Sequence, residues 1–113
     1  MKVVLLSTAA LLATTGVALA HDTSVIDSVQ ARQRHQIAYG RHVGELTRRE
    51  YRQLMAEQAH IAAMERRAKA DGIVTGYEYR AIRRAQRAAA RNIYAETHDG
   101  QVSFWRRWVH RHR

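Results

Sequence analysis

The chain has 113 residues, with 19 Lys and Arg against 10 Asp and Glu, a formal net charge of +9, and neither cysteine nor proline. That length allows one small domain. The absence of cysteine excludes a disulfide-stapled scaffold and any thiolate metal centre, while the excess of positive charge favours anionic partners.

Lys2 supplies a short positive region, Val3 to Leu12 an apolar run, and Ala18-Leu19-Ala20 a small-x-small cleavage site, which together read as a secretory signal peptide over residues 1–20. The apolar stretch is interrupted by Ser7, Thr8, Thr14, Thr15 and Gly16, whereas a spanning helix needs about 20 predominantly apolar residues. Cleavage would leave 93 residues beginning at His21 and, with Lys2 removed, a charge of +8. The expected compartment is outside the cytoplasm, most simply the periplasm. An exported basic chain meets anionic lipid head groups or acidic polymers more often than nucleic acid.

Apolar residues recur at helical spacing, which predicts an all-α domain over residues 21–100. An internal repeat organises it. GELTRREYRQLMAEQAHI starts at Gly44 and GIVTGYEYRAIRRAQRAA at Gly72, so that Thr47 aligns with Thr75, Glu50 with Glu78, Tyr51 with Tyr79, Arg52 with Arg80 and Gln58 with Gln86. In each copy a glycine suited to the left-handed conformation ends one helix, and a Thr-x-x-Glu capping box opens the next. Thr47, Glu50, Thr75 and Glu78 are therefore expected to be helix caps. The predicted helices run from Ser24 to Val43, Arg48 to Ala70 and Gly76 to Thr97, a three-helix bundle with two EF-hand-like junctions.

The expected core stripes are Ile26, Val29, Ile37 and Tyr39 on the first helix, Tyr51, Leu54, Ile61, Met64 and Ala68 on the second, and Ile82, Ala85, Ala89 and Ile93 on the third. Gln58 and Gln86 fall on or beside the inward faces, where buried amides need partners. Their matched positions predict a hydrogen-bonded contact between helices.

Asp-Gly-x-Val-Thr-x-x-Glu at the second junction looks like half of a calcium loop, which takes oxygens at its positions 1, 3, 5 and 12 with glycine at 6. With Gly72 at position 6, Asp71 and Glu78 fit but Arg67 and Lys69 stand at positions 1 and 3. In the first copy Tyr39, Arg41 and Val43 occupy the ligand places. Both junctions are expected to work as metal-free turns.

From about Val29 to Asp99 the chain resembles a group of small exported bacterial proteins that carry G-x-L-T-x-x-E, then A-D-G-x-V-T-x-x-E, and end in a helix of the type Q-x-x-A-x-R-x-I-Y. Here that ending is Gln86, Ala89, Arg91, Ile93 and Tyr94. The resemblance implies an exported helical domain and carries no particular activity with it.

The sequence holds no cysteine nucleophile, no Gly-x-Ser-x-Gly elbow, no His-Glu-x-x-His motif and no phosphate-binding glycine loop, so a non-enzymatic role is expected, with no cofactor. The alternative is a histidine-based copper binder. A processed chain would begin with His21, whose free amine and imidazole could chelate copper if His35, His42 or His98 added a second ring, imidazole being a suitable ligand for that metal.

Residues 101–113 differ from the rest, mixing Phe104, Trp105 and Trp108 with Arg106, Arg107, Arg111 and Arg113. Gly100 is expected to separate this tail from the bundle. A basic aromatic stretch of this kind suits a membrane interface, or else covers the open end of the helices. The reading of the whole chain is an exported binding or envelope-associated protein that acts on anionic surfaces, with no protein partner indicated.

Overall fold

The computed structural model describes the backbone of residues 21–111 and the side chains of residues 21–98 and of Arg111. The expected leader, residues 1–20, lies outside the described residues, as do the side chains of Trp105, Arg106, Arg107 and Trp108 and the whole of Arg113. Three helices make up the fold, α1 Ser24–His42, α2 Arg48–Lys69 and α3 Gly76–Arg111. Each packs against the other two, as an all-α bundle requires. Among the described residues no helix is long and apolar enough to cross a membrane.

The first two helices end where the glycine signals place them, within a residue. The third does not: α3 runs through Gly100 to Arg111 instead of stopping near Thr97. A single glycine costs a helix only about 1 kcal/mol relative to alanine, and no proline follows to enforce a stop. The backbone of residues 101–111 is thus helical and continuous with α3.

At the α1–α2 joint Gly44 has φ +80°. Its N–H donates to the Arg41 carbonyl, and the Glu45 N–H reaches back to the Gly40 carbonyl over 2.9 Å, the paired bonds of a Schellman motif. The chain then turns Leu46 inward over Gly40, where an added Cβ would stand 3.2 Å from the Leu46 side chain. Thr47 and Glu50 close a reciprocal capping box: Thr47 Oγ1 accepts from the Glu50 N–H, and Glu50 Oε2 accepts from the Thr47 N–H, both at 3.1 Å.

The α2–α3 joint repeats this arrangement only in part. Gly72, at φ +83°, donates its N–H to the Lys69 carbonyl, but the next N–H, that of Ile73, is taken by Asp71 Oδ1. Thr75 Oγ1 accepts from the Glu78 N–H at 3.2 Å. The return bond is missing, since Glu78 Oε2 is buried with no hydrogen-bond partner among the described residues. At the start of α1 the capping group is neither Thr23 nor Ser24 but Asp22, whose carboxylate accepts from the Ser24 N–H and hydroxyl. Those two bonds hold its pKa below the usual carboxylate range.

Two apolar clusters fill the bundle. One joins Ile26, Ile61, Ala68, Val74, Ile82 and Ala89 and lies toward the α2–α3 joint. The other joins Ile37, Leu46, Leu54 and Ile93 beneath the α1–α2 joint. Tyr39, expected in the core, is 59% exposed. The reason is angular: it lies two residues, or roughly 200° around the helix, from the inward-facing Ile37.

Candidate anion-binding site

Four glutamines, Gln30, Gln33, Gln58 and Gln86, are buried in the bundle alongside the two apolar clusters. Gln58 and Gln86 do not bond each other through their side chains. Gln33 of α1 links them: its Oε1 accepts from Gln58 Nε2 at 2.9 Å, and its Nε2 donates to the Gln86 carbonyl at 2.8 Å. Gln86 Nε2 in turn donates to the Ile26 carbonyl at 2.9 Å. One polar layer therefore ties α1 to both other helices. Gln30 Nε2 and Gln58 Oε1 have no partner among the described residues.

The sequence reading missed Gln33 and Gln30, although a signal for both was present. The 28-residue spacing extends back into α1: Ile26, Leu54 and Ile82 fall in register, and so do Gln30, Gln58 and Gln86, Gln33, Ile61 and Ala89, and Ile37, Glu65 and Ile93. All of these positions are buried. Helix α1 is a third copy of the helical unit: Gly16 stands in register with Gly44 and Gly72, but Leu19 and Asp22 replace the Thr and Glu of the capping box, and that lack hid it from a motif search.

On the α1–α3 side the layer opens into a groove of about 220 Å³ whose charged lining residues are Arg32 on α1 and Arg83 and Arg87, one turn apart, on α3. Gln33, Gln36 and Gln86 line it too, and no carboxylate does. Arg83 is anchored: one terminal nitrogen donates to Gln86 Oε1 at 2.7 Å. The Gln86 side chain is itself held from the other end by the Ile26 carbonyl. The guanidinium is thus oriented by a residue only 1% exposed, with its remaining donors free to meet an acceptor.

Two ion pairs lie on the α1–α2 side. Lys69 Nζ stands 2.6 Å from Glu65 Oε1 and 3.8 Å from Asp27 Oδ1. Glu65 replaces the isoleucines found at the equivalent repeat positions and is 7% exposed. Burial raises its pKa, and the neighbouring Asp27 carboxyl pushes in the same direction against the pull of Lys69. The hydrogen bond to Glu65 raises the pKa of Lys69 in turn.

A second groove, of about 260 Å³, lies between α2 and α3, where Arg67 and Glu78 face an apolar wall that includes Met64 and Ile82. Glu78, expected as a cap, donates its backbone N–H to Thr75 Oγ1 and is one of the residues lining this groove, with its Oε2 buried.

The four histidines considered as copper ligands are all exposed and are not brought together. His21 stacks on Tyr79 with ring centroids 5.1 Å apart, and its backbone N–H donates to the Val74 carbonyl at 3.1 Å. His98 stacks on Tyr94 and places Nδ1 2.7 Å from the Tyr94 carbonyl, which requires the proton on Nδ1 because a carbonyl only accepts. The nineteen residues from Tyr79 to His98 along α3 span about 28 Å at 1.5 Å per residue, so His21 and His98 occupy opposite ends of the bundle. His42 ends α1, at the far end from His21. Among the described residues no group of three or more His, Cys, Asp or Glu side chains is placed to hold a metal.

No protein-family model, no curated protein and no solved structure matches this chain.

Proposed function

We propose that this chain is an exported, non-enzymatic helical protein that docks on anionic membrane surfaces. The observation that carries the reading is the α1–α3 groove, where Arg32, Arg83 and Arg87 share one surface with no carboxylate to neutralise them. The excess of arginine over acid in the whole chain supports it, because clustered positive charge steers a protein toward anionic surfaces. In this reading residues 1–20 are removed on export to the periplasm, as the resemblance to small exported bacterial proteins also implies. The two EF-hand-like turns serve as metal-free joints. Trp105 and Trp108 enter the head-group region while Arg106, Arg107, Arg111 and Arg113 lie against lipid phosphates.

The test is flotation of the full chain with phosphatidylglycerol vesicles and with phosphatidylcholine vesicles across a salt series. Binding to the anionic vesicles alone, weakening as salt rises and lost in the Trp105→Ala, Trp108→Ala double variant, is the expected result. Equal binding to both lipids, or binding only to a soluble acidic polymer, would replace the membrane with another partner.

A further inference from the structure

We infer that the α1–α3 groove is a discrete oxyanion site that takes a single phosphoryl group, as free phosphate or as a lipid head group. This deepens the anionic-surface reading and rests on it for the membrane source alone.

A diffuse basic face would consist of long, mobile side chains each free to move independently. Arg83 is different: its terminal nitrogen is fixed at 2.7 Å to the buried Gln86 Oε1, so part of the entropy cost of ordering an arginine around a ligand is met by the fold. Arg87 lies one turn further along the same helix and Arg32 faces it from α1. Three arginines from two helices therefore line one concave space, a set that suits a tetrahedral oxyanion, because planar guanidinium forks match phosphate oxygens in pairs.

The floor of the groove contributes to selectivity. Gln33 has its amide donor committed to the Gln86 carbonyl and its oxygen to Gln58, and Gln86 is held by Ile26 and Arg83. Each of these two side-chain oxygens already accepts one hydrogen bond, from Gln58 and from Arg83, which lowers its attraction for a cation. Gln36, exposed at the edge, retains an amide donor for a further ligand oxygen. The charged groups of the wall are all cationic, which leaves a bound anion unopposed by any lining carboxylate.

The test is a titration of the full chain with inorganic phosphate at constant ionic strength, following the side-chain N–H resonances of arginine and glutamine by NMR. Saturable shifts centred on Arg83, Arg87 and the Gln86 amide are expected. Arg83→Gln and Arg87→Gln should each weaken binding by about tenfold or more, the loss of a charge-assisted hydrogen bond. Arg34→Gln, an exposed arginine outside the groove, should leave it unchanged and so controls for net charge. The same variants are then tested on phosphatidylglycerol vesicles.

Saturable phosphate binding without vesicle binding supports the groove, assigns it a soluble phosphoryl ligand, and removes the membrane reading. Vesicle binding that weakens in Arg83→Gln and Arg87→Gln but not in Arg34→Gln, with no response to free phosphate, assigns it a lipid head group. Vesicle binding that is equal in all variants, or phosphate shifts spread evenly over the arginines, overturns the groove and leaves only the net positive charge of the chain to support the broader surface reading. No binding to either probe overturns both.

Discussion

Gln58 donates its side-chain amide to Gln33 Oε1 over 2.9 Å, between two residues that are 1% and 3% exposed. Through this bond α2 is keyed to α1, and through the other end of Gln33 α1 is keyed to the Gln86 carbonyl of α3. Apolar contacts tolerate sliding; a buried donor that must find one acceptor does not. The layer therefore sets the axial register of all three helices and, by way of Gln86, the position of Arg83.

Replacing Gln33 by leucine should lower stability by about 1–3 kcal/mol, since it leaves the Gln58 donor buried without its acceptor. Replacing Gln58 by leucine as well should restore part of that loss, because removing both partners removes the unpaired group. A urea-denaturation double-mutant cycle measures the coupling. Strict additivity of the two substitutions would show that the bond contributes nothing.

The two joints should respond unequally to loss of their caps. Thr47→Ala breaks a reciprocal box and is expected to cost about 1–2 kcal/mol, whereas Thr75→Ala removes a single 3.2 Å bond and should fall near the lower end of the usual range, about 0.5 kcal/mol. Chemical denaturation of the two variants side by side checks the ordering. Equal costs would mean that the Glu78 carboxylate completes the second box in solution.

Glu65 makes stability depend on pH in a definite direction. Its folded-state pKa is raised, by burial first and by Asp27 second, so the folded chain holds that proton more tightly than the unfolded chain. The resulting stabilisation is complete below the unfolded glutamate range and is lost as pH rises through the folded value. Asp22, with a lowered pKa, acts with the opposite sign, so the Glu65 contribution is read from the difference between variants.

Glu65→Leu, which restores the apolar character of Ile37 and Ile93, should leave stability at neutral pH unchanged or raise it by up to about 2 kcal/mol. Its advantage over the parent should shrink as the pH falls through the carboxylate range. Thermal melts from mildly acidic to neutral pH test both points. A variant that is destabilised at neutral pH would show that the Lys69 pair outweighs the burial cost.

If His21 is a new amino terminus, copper bound there has no second histidine nearby, because His98 lies at the other end of α3, His42 ends α1, and His35 stands about 16 Å along α1 from Ser24 at 1.5 Å per residue. His42→Ala and His98→Ala are therefore expected to leave the Cu(II) affinity of the chain beginning at His21 unchanged, as measured by competition with a chromophoric chelator. A tenfold loss in either variant would require a structure in which these rings approach His21.

Much of the fold is legible in the sequence because it is written in local chemistry. Gly44 and Gly72 need only their own φ angles to end a helix, Thr47 needs only the N–H of Glu50, and the spacing of Ile26, Leu54, Ile61 and Ile82 marks inward faces without reference to any neighbour. A helical bundle, its joints and most of its core follow from interactions within a few residues of each other. The third copy of the repeat, in α1, was also present in the letters, but without its Thr-x-x-Glu capping box it carried no local signature. The continuation of α3 through Gly100 was obscured by a residue that commonly marks an end yet costs a long helix little.

Only the tertiary structure decided which polar groups meet. Gln33 pairs with Gln58 and Gln86 across sequence separations of 25 and 53 residues; its spacing between Val29 and Ile37 puts it on the inward face of α1 but does not name the groups it meets there. Likewise Arg32, Arg83 and Arg87 are three among many arginines until α1 and α3 pack and bring them to the lining of one groove. Helix propensity and capping act along the chain, and so they can be read from it. Hydrogen-bond pairing and shared electrostatic surface act across space, and they exist only once packing has set the helices in register.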